Sequence, residues 1–437
     1  MLPILQKWTK NVPKTLHFLL TFFTFLFLDF LDSIFCIIYG FIDHILEGKP
    51  SHCYCKRSEN GVNGSKRGGV LGREMELSET LYGRRNVFWV LGLIGFEGKV
   101  VGFVRNLVRK NLVGKNRWSD CGCEECVAWM KKDSGDLMKL HVVVQEPCAN
   151  VTDGSGEKSI ENVVFVHGFM SSSSCWTESV FKNLSDQVKL NYRMLAFDLL
   201  GFGRSPKPQD CLYTIGKHLE TIEESVISPY KLESFHLVGH SMGCVIAMAL
   251  AAKYSTRVKS LTLVAPPYFP PSSETESLYA LNKLAKKRLW PVLHFGGAFM
   301  SWYEHLGRCF CFVVCRNHRI WESLLKLLTG QRTLNFMFTD LFKHTHHSAW
   351  HSMHNVLCSG VDVMERYLER LRNHGVKISV IHGDQDQVVP LECSYNIKMK
   401  VPEADIKIVP NTDHSMIIAD RIKEFTRDLE QTWISLH

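Results

Sequence analysis

The pentapeptide Gly239-His240-Ser241-Met242-Gly243 is the strongest chemical signal in the chain. It follows the β-type run Phe235–Val238 and opens a helical run of small and apolar residues, Cys244 to Ala252. A serine at such a strand-to-helix elbow is held in a strained conformation, and the flanking glycines let neighbouring backbone approach closely. Its hydroxyl is a poor nucleophile unless a base removes the proton during attack. That base is expected to be a histidine held in one tautomer by a carboxylate. With a nucleophile elbow the chain order is serine, acid, histidine. Asp386, in Gly383-Asp384-Gln385-Asp386-Gln387-Val388-Val389-Pro390, and His414, in Asn411-Thr412-Asp413-His414-Ser415, supply the acid and the base in that order. Each lies just past a β-type run. Asp384, immediately after the glycine, suits turn capping better than catalysis.

Acyl transfer to such a serine also needs two backbone N–H donors aimed at the developing oxyanion. Met242, next to the nucleophile, is expected to give one. Phe169, in Val166-His167-Gly168-Phe169-Met170, is expected to give the other, with His167 and Gly168 supporting that loop. Asp198, at the head of Asp198-Leu199-Leu200-Gly201-Phe202-Gly203-Arg204-Ser205, reads as a structural residue of a tight turn.

These residues require a scaffold that brings several strand ends to one edge. After Asp136, short β-branched or apolar runs alternate with helical stretches, the pattern of a mostly parallel sheet in an α/β fold. The runs are Lys139–Gln145, Asn162–Val166, Arg193–Phe197, Phe235–Val238, Lys259–Val264, Lys377–Ile381 and Asp405–Val409. A long insertion, about 266–360, separates the fifth from the sixth. Its fifteen Phe, Trp and Tyr residues predict an apolar, largely helical cap. The catalytic domain is therefore expected at 138–437.

The remainder is of a different character. Residues 1–55 contain a basic start, Lys7, Lys10 and Lys14, and an apolar stretch from Phe18 to Ile42 interrupted by Asp29 and Asp32. This predicts entry to the secretory pathway, by a signal or an uncleaved signal-anchor; no Ala precedes Ala128, so an A-x-A cleavage site is missing. Residues 56–137 form a basic linker and a Cys-containing region. Within 56–117 stand thirteen Lys and Arg against five Asp and Glu, so the net charge of +7 resides in this segment. No nucleic-acid-binding motif accompanies that charge, and a membrane surface is the expected neighbour. Asn86 to Leu112 reads as an amphipathic basic helix, suited either to a membrane or to packing on the catalytic domain. Fifteen cysteines and sequons at Asn63, Asn150 and Asn183 agree with an oxidising, glycosylating compartment.

Two clusters imitate metal sites, Cys121-x-Cys123-x2-Cys126 and Cys309-x-Cys311-x3-Cys315-x2-His318. The first has no fourth ligand near it in sequence and neither is a paired C-x-x-C, so disulfides or buried thiols are expected, with no metal and no cofactor. His344, His347, His351 and His354 would share a helix face, read as cap packing or hydrogen bonding.

Together the HG loop, the D-x-x-G-x-G-x-S turn, G-x-S-x-G, G-x-x-D-x-x-x-P and the final Asp-His resemble the α/β-hydrolase superfamily. The whole chain, with its apolar start, Cys-rich Trp118–Met130 stretch and His-rich cap, resembles the plant BODYGUARD family. That resemblance implies a lysophospholipase-like hydrolase of cuticle formation, at the cell membrane or in the cell wall, with lipid attachment near Cys53 as a further implication. The chemistry expected is hydrolysis of a long-chain acyl ester through an acyl-enzyme. Interception of the acyl-enzyme by an alcohol, to build a lipid polyester, and a triad-bearing receptor with little turnover are the alternatives.

Overall fold

The computed structural model describes residues 14–48, 53–54, 77–81, 117–130, 138–148, 160–269, 289 and 292–435. The basic linker, the segment 83–116 with its expected amphipathic helix, and the sequons at Asn63 and Asn150 lie outside the described residues.

Seven strands form one sheet: β1 (Val142–Gln145), β2 (Glu161–Val166), β3 (Tyr192–Phe197), β4 (Phe235–His240), β5 (Val258–Val264), β6 (Lys377–Gly383) and β7 (Asp405–Val409). Their order is β1-β3-β2-β4-β5-β6-β7. β1 runs antiparallel to β3, and every other neighbouring pair is parallel. Central parallel strands are covered on both faces and read as unbroken apolar runs; in β2, Val163 to Val166 are all fully buried.

The helices that matter below are α1 (Lys14–Glu47), α2 (Glu124–Met130), α3 (Ile215–Ile222), α4 (Met242–Lys253), α5 (Val292–Trp302), α6 (Glu304–Val313), α7 (His318–Thr329), α8 (His346–Ser352), α9 (Gly360–Asn373), α10 (Glu392–Lys400) and α11 (Ile422–Ile434). α4 is buried from Met242 to Ala252. A helix that is apolar all round belongs in a core, and its Ala and Gly positions allow the close approach this one makes to the sheet. The elbow at Ser241 is thus anchored in the core by the buried α4.

The chain divides into two compact units. One comprises 60–81, 119–280 and 311–437, and contains the whole sheet. The other comprises 1–59, 82–118 and 281–310. The long insertion is therefore shared: 281–310 belongs with the N-terminal segment, and 311–360 with the sheet-bearing unit.

In the smaller unit α1 is inverted relative to a helix on a soluble surface. Its buried stripe includes Phe25, Asp29, Asp32, Cys36, Tyr39 and Asp43, while Phe18, Phe22, Phe23, Phe27, Phe30 and Phe41 are exposed. The three acids have partners within the unit. Tyr303 Oη donates to Asp29 at 3.0 Å, and the His305 and Leu306 N–H groups, in the first turn of α6, donate to Asp32 at 3.0 Å each. Arg308 forks onto Asp43 with two bonds of 2.7 Å.

Candidate active site

Ser241 joins β4 to α4 with φ 51° and ψ −120°, a conformation that a side chain other than glycine's adopts only when its surroundings impose it. The surroundings are visible in the glycines. A Cβ on Gly243 would lie 2.5 Å from the carbonyl oxygens of Val166 and His167, and one on Gly239 would lie 2.8 Å from the Gly243 oxygen. Gly243 therefore lets the elbow wedge against the exit of β2, and Gly239 lets β4 close onto the start of α4. Gly168 sits on the other side, its absent Cβ 3.3 Å from the Ser241 Cβ and 3.0 Å from His240 Nδ1. The loop carrying Phe169 is thereby held against the serine.

Asp386 follows β6 and His414 follows β7. His414 Nδ1–H donates to Asp386 Oδ2 at 2.7 Å, which leaves Nε2 as the basic nitrogen. The other carboxylate oxygen, Oδ1, accepts the Val388 and Val389 N–H groups, each at 2.8 Å. Burial works to raise the Asp386 pKa, but the bonds from His382, His414 and Val389 outweigh it and hold the carboxyl well below the usual range. Asp384 is exposed and only receives the Thr412 N–H, at 3.4 Å. Of the two carboxylates in this loop, Asp386 is the one on the histidine.

His167 is fully buried between its two partners. Its Nε2 accepts the Leu199 N–H at 2.8 Å and its Nδ1–H donates to the Gly168 carbonyl at 2.8 Å. Burial pushes its pKa down, the neighbouring Asp198 opposing. Such a residue braces the loop and has no free nitrogen for proton transfer. Asp198 caps its own turn, accepting Ser173 N–H and Arg204 N–H at 2.6 Å each. Gly203, with φ 53°, makes room for that carboxylate, since a Cβ there would lie 2.2 Å from Asp198 Oδ2.

Two histidines of the site escape sequence reasoning. His382, the penultimate residue of β6, donates its Nε2–H to Asp386 Oδ2 at 3.2 Å and to the Val389 carbonyl at 3.1 Å. His240, inside the elbow motif, packs 4.9 Å from the His414 ring and donates Nε2–H to the His414 carbonyl at 3.2 Å. Burial, with the adjacent His414, pushes the His240 pKa down to about 3, so it stays a neutral donor. Histidines of this kind have no spacing rule; the one available signal is that both sit at the carboxyl ends of strands that carry triad-type residues.

The thiol and histidine clusters are rearranged relative to the sequence reading. Every described cysteine is a free thiol, so the expected disulfides are not found among the described residues. Cys121, Cys123 and Cys126 meet His318, a fourth side chain of donor type that lies 192 residues beyond Cys126 and so outside any local spacing. Cys309, Cys311, Cys315 and His318 do not act together: Cys311 and Cys315 meet His344, and Cys309 accepts a bond from Tyr39 Oη at 3.1 Å. His344 thus leaves the expected helix face. His347 bonds the Cys211 carbonyl at 2.8 Å and His354 bonds Thr80 at 2.9 Å, as cap packing predicts. Cys53, the expected lipid site, lies 3.5 Å from Cys36 and 3.7 Å from His305 Nε2.

Sheet order, elbow and strand-end acid and histidine define a hydrolase of the α/β-hydrolase superfamily, and a family profile described as "alpha/beta hydrolase fold" matches residues 161–301. The chain is 49% identical over 434 residues to "Probable lysophospholipase BODYGUARD 4" of Arabidopsis thaliana, covering 98% of this chain and 100% of that one. It is 45% identical to "Probable lysophospholipase BODYGUARD 5" of the same plant, over 94% of this chain and 93% of that one. The chain belongs to the BODYGUARD family.

Proposed function

We infer that the protein is a serine hydrolase that cleaves a long-chain acyl ester of lysophospholipid type through an acyl-enzyme. Ser241 Oγ attacks the ester carbonyl carbon while His414 Nε2 takes the hydroxyl proton. The oxyanion is received by the N–H groups of Phe169 and Met242. Collapse of the tetrahedral adduct breaks the ester C–O bond, and the departing alkoxide takes the proton from His414. Water, deprotonated by the same nitrogen, then releases the fatty acid and restores Ser241. Asp386 holds the imidazole tautomer and stabilises its cation.

The observation that carries this reading is the 2.7 Å His414–Asp386 bond, with His414 packed on His240, the residue that precedes a serine forced to φ 51° at a strand-to-helix elbow. The acyl-ester class is supported by the relatives' names. The exposed phenylalanines of α1 support work at a lipid surface, and the family resemblance supports extracellular cuticle lipid as the setting. The test is fluorophosphonate labelling and lysophosphatidylcholine hydrolysis by the full chain and by Ser241→Ala. The expected result is one labelled serine, lost with turnover in the folded variant. Labelling that persists in Ser241→Ala, or a labelled wild type inert towards every acyl ester offered, would refute the assignment of the nucleophile or of the substrate class, respectively.

A further inference from the structure

α2 and α7 are both weakly anchored. In α2, the only buried side chain is Cys126, and in α7, a helix of twelve residues, the only one is His318. The rest of α7 is weakly anchored: Ile320, Leu324, Leu327 and Leu328 are exposed, and Trp321 and Leu325 are only half-buried. Helices of these lengths are not stable by themselves in water and depend on tertiary attachment. Here the single inward residue of each element points at the same spot, joined there by Cys121 and Cys123.

The geometry of that spot is specific. The three sulfurs and His318 Nε2 all lie within 4.8 Å of one another. Nε2 is 3.5 Å from Cys123 Sγ and 3.6 Å from Cys126 Sγ. A tetrahedral ion with bonds of about 2.3 Å to sulfur and about 2.05 Å to nitrogen demands an N···S edge of about 3.6 Å. On the far side of the ring, Glu322, one helical turn along α7, accepts the Nδ1–H at 2.9 Å. That is the outer carboxylate which fixes the tautomer of a metal-bound histidine and directs Nε2 to the ion. The Cys123 N–H in turn points at Cys121 Sγ, 3.5 Å away, a stabilising contact for a thiolate.

We propose that Cys121, Cys123, Cys126 and His318 bind a structural Zn²⁺ ion that fastens residues 121–130 to the first turn of α7. Three thiols lose their protons to solvent on binding and the histidine enters neutral, so the completed site carries a net charge of −1. Soft sulfur donors in a tetrahedral set select zinc over magnesium or calcium, and four protein ligands leave no open position for catalysis. The site is separate in residues and in role from Ser241, Asp386 and His414. Cys311, Cys315 and His344 supply only three donors among the described residues, and serve as the internal control.

The full chain, purified without added metal, should contain about one zinc per molecule by elemental mass spectrometry. Differential alkylation should find Cys121, Cys123 and Cys126 unreactive until a chelator is added, and Co²⁺ exchange should give the thiolate charge-transfer and tetrahedral visible bands. Cys126→Ser and His318→Ala should lose that equivalent, while Cys311→Ser with Cys315→Ser should keep it. Where a variant fails to fold, alkylation and metal content of the wild type decide. A metal-free chain with a Cys121–Cys126 or Cys123–Cys126 disulfide, thiols open to alkylation without chelator, or a zinc equivalent that survives in folded Cys126→Ser would each overturn the site.

Discussion

Replacing Asp386 by asparagine should disable the enzyme by a route that can be followed atom by atom. The side chain accepts four hydrogen bonds: Val388 and Val389 N–H on Oδ1, His414 and His382 on Oδ2. An asparagine must keep its carbonyl oxygen towards the two backbone N–H groups. Turning the amide round would leave both of those donors facing another donor, at about 1–3 kcal/mol for each. The NH₂ group therefore replaces Oδ2 and meets two ring N–H groups. His382 has a second acceptor, the Val389 carbonyl at 3.1 Å, and can remain as it is. His414 has no such alternative on its Nδ1, so it must move its proton to Nε2 and accept from the amide instead. A histidine protonated on Nε2 cannot take the proton of Ser241.

The same tautomer error in the serine proteases costs about 10⁴ in kcat, or about 5.5 kcal/mol in the barrier. Asp384→Asn serves as the paired control. It keeps an acceptor for the Thr412 N–H and touches neither histidine, so its effect should stay within about threefold. Steady-state hydrolysis of a lysophospholipid and the rate of fluorophosphonate labelling, with circular dichroism to check folding, measure both. An Asp386→Asn enzyme retaining more than about a tenth of wild-type kcat, or a reversed ranking of the two variants, would refute the tautomer argument.

Two other outcomes follow from the site and from α1. Because the folded Asp386 pKa lies below its ordinary value of about 3.9, the stability it supplies is complete above that value and disappears as pH falls through the folded one; denaturant unfolding from about pH 5 to pH 2 should therefore show a shallower acid limb in Asp386→Asn than in the wild type, and parallel limbs would contradict this. The exposed phenylalanines of α1 should hold the chain on lipid vesicles, and Phe23→Ser with Phe27→Ser and Phe30→Ser, each removing about 1.5–3 kcal/mol of apolar burial, should abolish flotation; a wild type that stays in the soluble fraction would end the idea.

The central strands were legible because they are buried on both faces. Asn162–Val166 is nearly continuous in apolar residues, Lys259–Val264 interleaves Leu261, Leu263 and Val264 with the buried Ser260 and Thr262, and the observed strands extend each run by one residue, whereas the edge run Lys139–Gln145 shortens to Val142–Gln145. The elbow at Ser241 and the strand-end turn that sets Asp386 on His414 were legible from spacing, since both impose glycine and proline at fixed offsets. His382 and His240 were not, because a single histidine that bonds a carboxylate or a carbonyl leaves no periodic trace. His318 was hidden for a related reason. Its three thiol neighbours are local in sequence, but only the packing of α7 brings in the fourth donor, and the nearby Cys309, Cys311 and Cys315 offered a false local grouping.

Asp29 and Asp32 show what a hydropathy average conceals. Along the sequence they are interruptions in an apolar run, each costly in a membrane helix. In the fold they occur at the spacing of one helical stripe with Phe25, Cys36, Tyr39 and Asp43, and that stripe is covered. The three acids of α1 are therefore turned inward, onto Tyr303, the start of α6 and Arg308, while Phe18, Phe22, Phe23, Phe27, Phe30 and Phe41 face outward. This is the arrangement expected where the surroundings are hydrocarbon, with ionisable side chains paired inside and apolar ones outside. It also opposes removal of α1 as a signal. Cutting it away would strip the buried Arg308 of the Asp43 carboxylate, and breaking a buried pair on one side costs about 3–5 kcal/mol. We propose on this ground that α1 is retained in the mature protein as an anchor, and a purified mature chain whose first residue falls after Glu47 would refute it.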